Sequence, residues 1–257
     1  MIGVSVGGNV AKGQTLVAGP LDLSAVIHAC RVAVDQQSEK GCRMMRVFAA
    51  SGIANQPGMS AQLDRQIITA VFEWFGRYPD ALAVTRKCAI YLSAASLSDP
   101  GFLPFVRAIL AEHSLLPECF CFEITESSAK NDVERSRENV QHLRAEGFRV
   151  SIDDFSTGFA TYSYFKRREV DEIKIDGTFV TALGSNSIDT EIVESIVRVA
   201  RRFNVKTVAE FVATPESREH AKRLGVDCVQ GYAIGVPRPI AEIHTVLREE
   251  QQRAINS

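Results

Sequence analysis

The fold this sequence predicts is a (β/α) barrel of the TIM type, in the α/β class, and three observations predict it. Short apolar strand-like runs alternate with amphipathic helical stretches from about residue 63 onward, which is the pattern of βαβ units and a parallel sheet. Glycines and prolines punctuate the alternation at its turns. Five successive strands carry a polar residue at or near their C-terminal end, namely Glu123, Asp153, Lys174, Glu210 and Gln230. That end of the strands is where such barrels build their sites.

Residues 2–8 read as a strand ending in glycines, followed by a loop over 9–20. Leu21, Ala25, Val26, Ala29, Val32 and Ala33 recur near helical period and predict a helix over 21–37. Residues 43–49 read as a strand. The first 50 residues have too few elements to bury a core of their own. Residues 51–62 carry Gly, Pro and Ser and mark the expected boundary, with a main unit over 63–257. In that unit Leu63, Ile67, Ile68, Val71 and Trp74 predict a helix, residues 87–93 a strand, and 102–113 a helix. The regular part follows: strands at 119–126, 148–153, 171–176, 206–212 and 227–232, and helices at 133–146, 188–203, 217–224 and 240–253. This gives seven candidate strands with 43–49 included, one short of a closed barrel unless the N-terminal strands fill the gap.

Composition narrows the function classes. The 257 residues are 46% hydrophobic and 23% charged, with net charge −2. That balance excludes broad electrostatic binding to nucleic acid or an anionic membrane, and Lys166-Arg167-Arg168 is too short to reverse it. No apolar run approaches the roughly 20 residues of a membrane span, and the first residues lack the features of a signal peptide. Cys30, Cys42, Cys88, Cys119, Cys121 and Cys228 are scattered. They read as small apolar residues in a reducing cytosol, so a cytoplasmic location is expected. Strand alternation would put Cys119 and Cys121 on one face, with metal binding as the second reading.

The strand-end residues define the chemistry. Three carboxylates and a lysine at a barrel mouth favour a hard divalent cation held through oxygen, Mg²⁺ or Mn²⁺. Such an ion polarises a phosphoryl oxygen and activates bound water. A strand-borne lysine also permits Schiff-base chemistry, although nearby carboxylates raise its pKa and oppose it. Asp153-Asp154 stands at the end of a strand before Ser156-Thr157-Gly158. In a regular strand the two acids point to opposite faces, and a turn role is the simpler reading of the pair in isolation.

Five motifs in order resemble those of EAL domains: Phe122-Glu123-Ile124-Thr125-Glu126-Ser127, Ile152-Asp153-Asp154-Phe155, Ile173-Lys174-Ile175-Asp176, Ala209-Glu210 and Gln230-Gly231-Tyr232. Leu63-Asp64-Arg65 resembles the start of an early EAL helix. EAL domains are Mg²⁺/Mn²⁺-dependent phosphodiesterases that linearise cyclic di-GMP. The resemblance implies metal ligation by Glu123, Asp153, Asp154 and Glu210, with Glu210 also assisting the water. It implies a catalytic and substrate-binding Lys174, substrate contact by Gln230, and loop stabilisation by Glu126.

Several positions depart from the family pattern. The Glu-Ala-Leu strand with its metal-binding glutamate and following arginine has no counterpart, and Phe48-Ala49-Ala50-Ser51 contains no acid. Tyr91 replaces a metal-binding asparagine, Ser156 a loop glycine, and Phe211 and Ala213 a glycine and an acid. The first 50 residues resemble the C-terminal part of a GGDEF domain, without its catalytic motif. The resemblance therefore implies an EAL-like barrel, modified or incomplete at its first strands, behind a partial GGDEF-like unit. It further implies weak metal binding, weak or absent binding of cyclic di-GMP, and a non-catalytic regulatory role through a protein partner or self-association. The alternative is a metal-dependent phosphodiesterase yielding linear pGpG.

Overall fold

The computed structural model describes residues 31–36, 43–48, 60–85, 87–125, 133–155, 169–184 and 187–255. The strands are β1 (Arg31–Gln36), β2 (Arg43–Phe48), β3 (Lys87–Tyr91), β4 (Phe120–Thr125), β5 (Arg149–Phe155), β6 (Glu172–Ile175), β7 (Lys206–Ala209), β8 (Cys228–Val229) and β9 (Arg238–Pro239). They form one sheet in the order β8-β7-β6-β5-β4-β3-β2-β1-β9. Strands β2 to β8 are parallel. β1 runs antiparallel to both β2 and β9. The sheet curls until Cα atoms of β1 and β8 lie within 8 Å of each other.

The helices are α1 (Ser60–Arg77), α2 (Pro79–Val84), α3 (Ala94–Leu97), α4 (Phe102–Glu112), α5 (Val133–Ala145), α6 (Gly177–Thr181), α7 (Ser187–Arg202), α8 (Pro215–Arg223) and α9 (Ile240–Ile255). The parallel barrel-like architecture is the one the alternation predicts. One expectation is corrected at its beginning. The helix expected over 21–37 is a strand where the chain is described, since β1 occupies Arg31–Gln36. β-branched Val32 and Val34 alternate with Arg31, Ala33 and Asp35, and that two-residue period, with a partner strand on each edge, overrides the helical spacing. β1 and β2, from the first 50 residues, pair into the same sheet as the rest, so N-terminal strands do extend the barrel-like sheet. The strand expected at 2–8 lies outside the described residues.

Alternation within each strand sorts side chains between the helices and the lumen. Phe120, Phe122 and Ile124, Val150 and Ile152, and Ile173 and Ile175 join one core with the helices. The Phe72 ring of α1 lies 4.4 Å from Phe120, and Phe102 of α4 lies 5.7 Å from Phe122. The intervening residues Glu123, Ser151, Asp153, Glu172 and Lys174 face the other way and are buried inside the curl. Val208 and Cys228 form a small apolar cluster apart from the main core.

Cys88, Cys121 and Cys228 are buried free thiols, and burial pushes the first two well above the ordinary thiol pKa. Cys119 belongs to the 3-10 turn Pro117–Cys119, so it does not share a strand face with Cys121. Asp64 on α1 is also buried. It accepts hydrogen bonds from Ser93 N at 2.9 Å, Ser93 Oγ at 2.6 Å and Ser96 Oγ at 2.7 Å. It thereby ties the exit of β3 to α1. Burial raises its pKa against the opposing pull of these bonds. At the opposite end of the chain His244 and Arg248 of α9 pair with Asp80 of α2, and the Asp80 carboxyl is held down at about 2, chiefly by His244. Among the described residues no helix is long and apolar enough to cross a membrane.

A second ion pair crosses the lumen. Lys87 on β3 and Glu172 on β6 meet at 2.5 Å although β4 and β5 separate their strands in the sheet. Burial opposes the charge on Lys87, yet Glu172 beside it holds the ammonium firmly protonated. Glu172 Oε1 and Ser151 Oγ are buried without a hydrogen-bond partner. Removing one member of such a pair leaves an uncompensated buried charge. Lys87→Met is expected to destabilise the fold by about 3–5 kcal/mol, with Lys87→Met/Glu172→Leu recovering most of the loss. Urea denaturation checks this; a single substitution that costs under about 1 kcal/mol contradicts it.

Candidate metal-binding site at the strand ends

The site grows from one residue on each of four neighbouring strands. Glu123 and Lys174 lie within β4 and β6, Asp153 lies in β5, and Glu210 directly follows β7. All four are buried. Lys174 Nζ donates to Asp153 Oδ1 at 2.8 Å, reaches Glu210 Oε1 at 2.5 Å and lies 3.6 Å from Glu123 Oε1. Lys174 is 1% exposed. An ammonium so far from water is tolerable because these carboxylates surround it. The Lys174 charge thus holds three acids together. Three carboxylates around one ammonium favour its charged form, whereas a Schiff-base lysine attacks as the neutral amine.

Asp154 reaches the same place through an irregularity. The β5–β6 register shifts between Ile152 and Phe155, and Asp154 has φ +54°. A bulge of this kind breaks the alternation that would otherwise send adjacent side chains to opposite faces. Asp is among the residue types that tolerate left-handed backbone. One carboxylate oxygen each from Asp153, Asp154 and Glu210 lies within 4.8 Å of the others. This all-oxygen set suits a hard divalent cation, which would share the carboxylates with Lys174. The lumen already carries excess negative charge. Buried Glu123, Asp153, Glu172 and Glu210 face two buried ammonium groups, Lys87 and Lys174.

Other expected residues fall around this centre. Gln230 follows β8 and is buried; its backbone accepts from Val212 N at 2.9 Å and donates to Ala209 O at 2.8 Å. Tyr91 ends β3 directly across from Glu123 and is exposed. Phe211 is exposed with φ +54°, and Ala213 is exposed. Glu126 and Ser156 lie outside the described residues. The Lys87–Glu172 pair and Ser151 escaped the sequence reading. Their signal was the two-residue period: Glu172 precedes Lys174 by two, and Ser151 precedes Asp153 by two, so each shares the lumen face.

Comparison with known proteins gives a consistent pattern. The family model described as EAL domain matches residues 24–237. Cyclic di-GMP phosphodiesterase PdeF of Escherichia coli is 36% identical over 190 residues, 74% of this chain and 25% of the relative. The chain thus spans about a quarter of that relative's length. The phosphodiesterase PaMucR in complex with c-di-GMP superposes with TM-score 0.74 at 29% identity, covering 83% of this chain and 93% of PaMucR. The EAL domain of Mycobacterium smegmatis DcpA superposes with TM-score 0.72 at 28% identity, covering 86% and 96% of the two chains.

The charge balance gives a direct test. Lys174→Met leaves Glu123, Asp153 and Glu210 facing one another without their cation, at an expected cost of about 3–5 kcal/mol. Added Mn²⁺ is expected to restore part of the lost melting temperature in this variant, because a cation that binds only the folded state stabilises it. Calorimetric melting with and without Mn²⁺ measures both effects. A variant as stable as the parent, or one indifferent to Mn²⁺, contradicts the assignment.

Proposed function

This chain belongs to the EAL domain family, and on that ground we propose that its strand-end site binds cyclic di-GMP together with Mg²⁺ or Mn²⁺, as a ligand-responsive regulatory module with impaired hydrolysis. The observation that carries the binding half is the convergence of Asp153, Asp154 and Glu210 within 4.8 Å, beside a lysine buried among acids. The names of PdeF and PaMucR, a phosphodiesterase and a c-di-GMP complex, support the choice of ligand.

In this reading Asp153, Asp154 and Glu210 hold the cation, with Glu123 completing the acidic wall. Lys174 orients these carboxylates and offers positive charge to a phosphate oxygen, and Gln230 lines the floor. A divalent ion bound here supplies Lewis-acid polarisation of a phosphoryl oxygen and a lowered pKa for bound water.

The hydrolytic half is weakened at two neighbouring strands. β2 reads Arg-Met-Met-Arg-Val-Phe and contributes no acid. Beside it, β3 ends in Tyr91, whose phenol is a bulky substitute for an amide ligand. In-line attack needs the water, the phosphate and the ions aligned within tenths of an ångström, and lost ligands relax that alignment. A second reading, cyclic di-GMP phosphodiesterase giving linear pGpG, is favoured by the retained Asp153-Asp154-Glu210 group itself. We place the module in the cytoplasm on its buried free thiols, where it passes its ligand state to a protein partner.

Titration calorimetry with cyclic di-GMP, with and without Mn²⁺, is expected to show cation-dependent binding that Asp153→Asn weakens by about tenfold or more. Chromatography of the incubated nucleotide is expected to show no linear product. Turnover that disappears in Asp153→Asn contradicts the regulatory half and selects the phosphodiesterase reading. Absence of binding under both conditions contradicts the ligand assignment.

A further inference from the structure

One layer toward the strand starts, the lumen carries polar groups that the proposed cation site leaves unused. Ser151 precedes Asp153 by two residues on β5, and Glu172 precedes Lys174 by two on β6, so both face the lumen. Register sets Glu123, Ser151 and Glu172 directly opposite one another in a row across β4, β5 and β6. All three are buried, Ser151 completely. The hydrogen bonding of this row does not close. Glu172 Oε2 takes the Lys87 ammonium at 2.5 Å, while Glu172 Oε1 has no hydrogen-bond partner among the described residues. The Ser151 hydroxyl has none either.

A buried polar atom without a partner loses its hydration and gains nothing in return. Folded proteins nearly always pair such atoms once ordered water is counted. The two groups are well placed to share one guest. Neighbouring strands lie about 4.8 Å apart, so the Ser151 and Glu172 side chains start one strand spacing from each other, a span that a single bridging molecule closes. The side chains next to them are small. Lumen positions of such barrels are usually filled by bulky branched residues, whereas β4 places Cys121 two residues before Glu123, and Ala89 of β3 is its register partner. The charges of Lys87 and Glu172 both act on the Cys121 thiol, which puts that small side chain beside the pair. Charge then decides what the guest is. Lys87 and Glu172 cancel one for one, so the excess of carboxylate lies in the upper layer, where Glu123, Asp153 and Glu210 surround Lys174. An ionised carboxylate oxygen only accepts, and a hydroxyl both donates and accepts. The lower layer therefore calls for a neutral donor and not for a second cation.

We infer that Ser151 and Glu172 form a buried water-binding site in the lumen, where one water molecule donates to Glu172 Oε1 and bonds the Ser151 hydroxyl. Internal water typically makes about two to four hydrogen bonds to groups that would otherwise go unpaired, and these two atoms supply the first two. Ser151 stands between Glu172 and Glu123 in the row, so the water lies within one strand of an acid that holds Lys174. The acid-lysine centre thus rests on a hydrated layer rather than on an apolar plug, which eases the burial of its charges. The site does not depend on any cation or nucleotide bound above it.

The sign of a single substitution tests this. Removing a buried hydroxyl that has no partner relieves a cost and stabilises the fold, whereas removing one that water satisfies destabilises it. Ser151→Ala, in the whole chain without added metal or nucleotide, is expected to lower the melting temperature by about 2–4 °C. An unchanged or higher melting temperature overturns the inference. High-resolution diffraction from crystals of the parent protein gives the direct view and needs no variant to fold. The expected result is a peak of water density about 2.6–3.2 Å from both Ser151 Oγ and Glu172 Oε1. No peak there, or a direct hydrogen bond between Ser151 and Glu172, overturns it. Soaking the same crystals in rubidium chloride separates water from a monovalent cation. An anomalous rubidium peak between Ser151 and Glu172 overturns the water assignment, and its absence beside a persisting water peak supports it.

Discussion

The arrangement of this site depends on one buried ammonium. Lys174 is 1% exposed and is held by Asp153, Glu210 and Glu123 from three other strands. Neither the lysine nor the acids could remain charged alone at that depth, since desolvation would neutralise or expel them. Together they set the relative heights of β4, β5, β6 and β7 at their C-terminal ends. The excess of carboxylate over ammonium then leaves a place where a divalent cation lowers the energy. The Lys87–Glu172 pair is a second charged crosspiece in the same lumen. The interior is therefore polar along much of its length, while the apolar core lies outside the strands, between sheet and helices.

The alternation of strands and helices from residue 63 onward was legible because helix and strand periods differ and each strand is short. The strand-end acids were legible because a parallel barrel brings equivalent ends together. Asp154 was not. A strict two-residue period sends it away from Asp153, and only the bulge with φ +54° turns it back. A bulge is set by pairing with β6, which local sequence does not encode. β1 misled for a related reason. Its small and β-branched residues satisfy both periods, and antiparallel partners in β2 and β9 decided the matter. The pairing of β1 with β9, about 200 residues on, is likewise not encoded in local sequence.

In this EAL-domain chain, the strands around the acid-lysine centre supply few further acids. β2 brings no carboxylate, β3 ends in an aromatic phenol, and the exit of β7 carries a phenylalanine in strained backbone. β2 and β3 are neighbours in the sheet, and β7 lies four places from β3 in the strand order. Hydrolysis at such a centre depends on cation geometry.

The most direct measurement is the location of the ion. Diffraction from crystals soaked in Mn²⁺, recorded at the manganese absorption edge, gives an anomalous peak wherever the ion binds. The account predicts a peak bounded by carboxylate oxygens of Asp153, Asp154 and Glu210, at distances of about 2.0–2.3 Å typical of a hard divalent ion. The absence of a peak at millimolar Mn²⁺, or a peak that avoids Asp153 and Glu210, would contradict it.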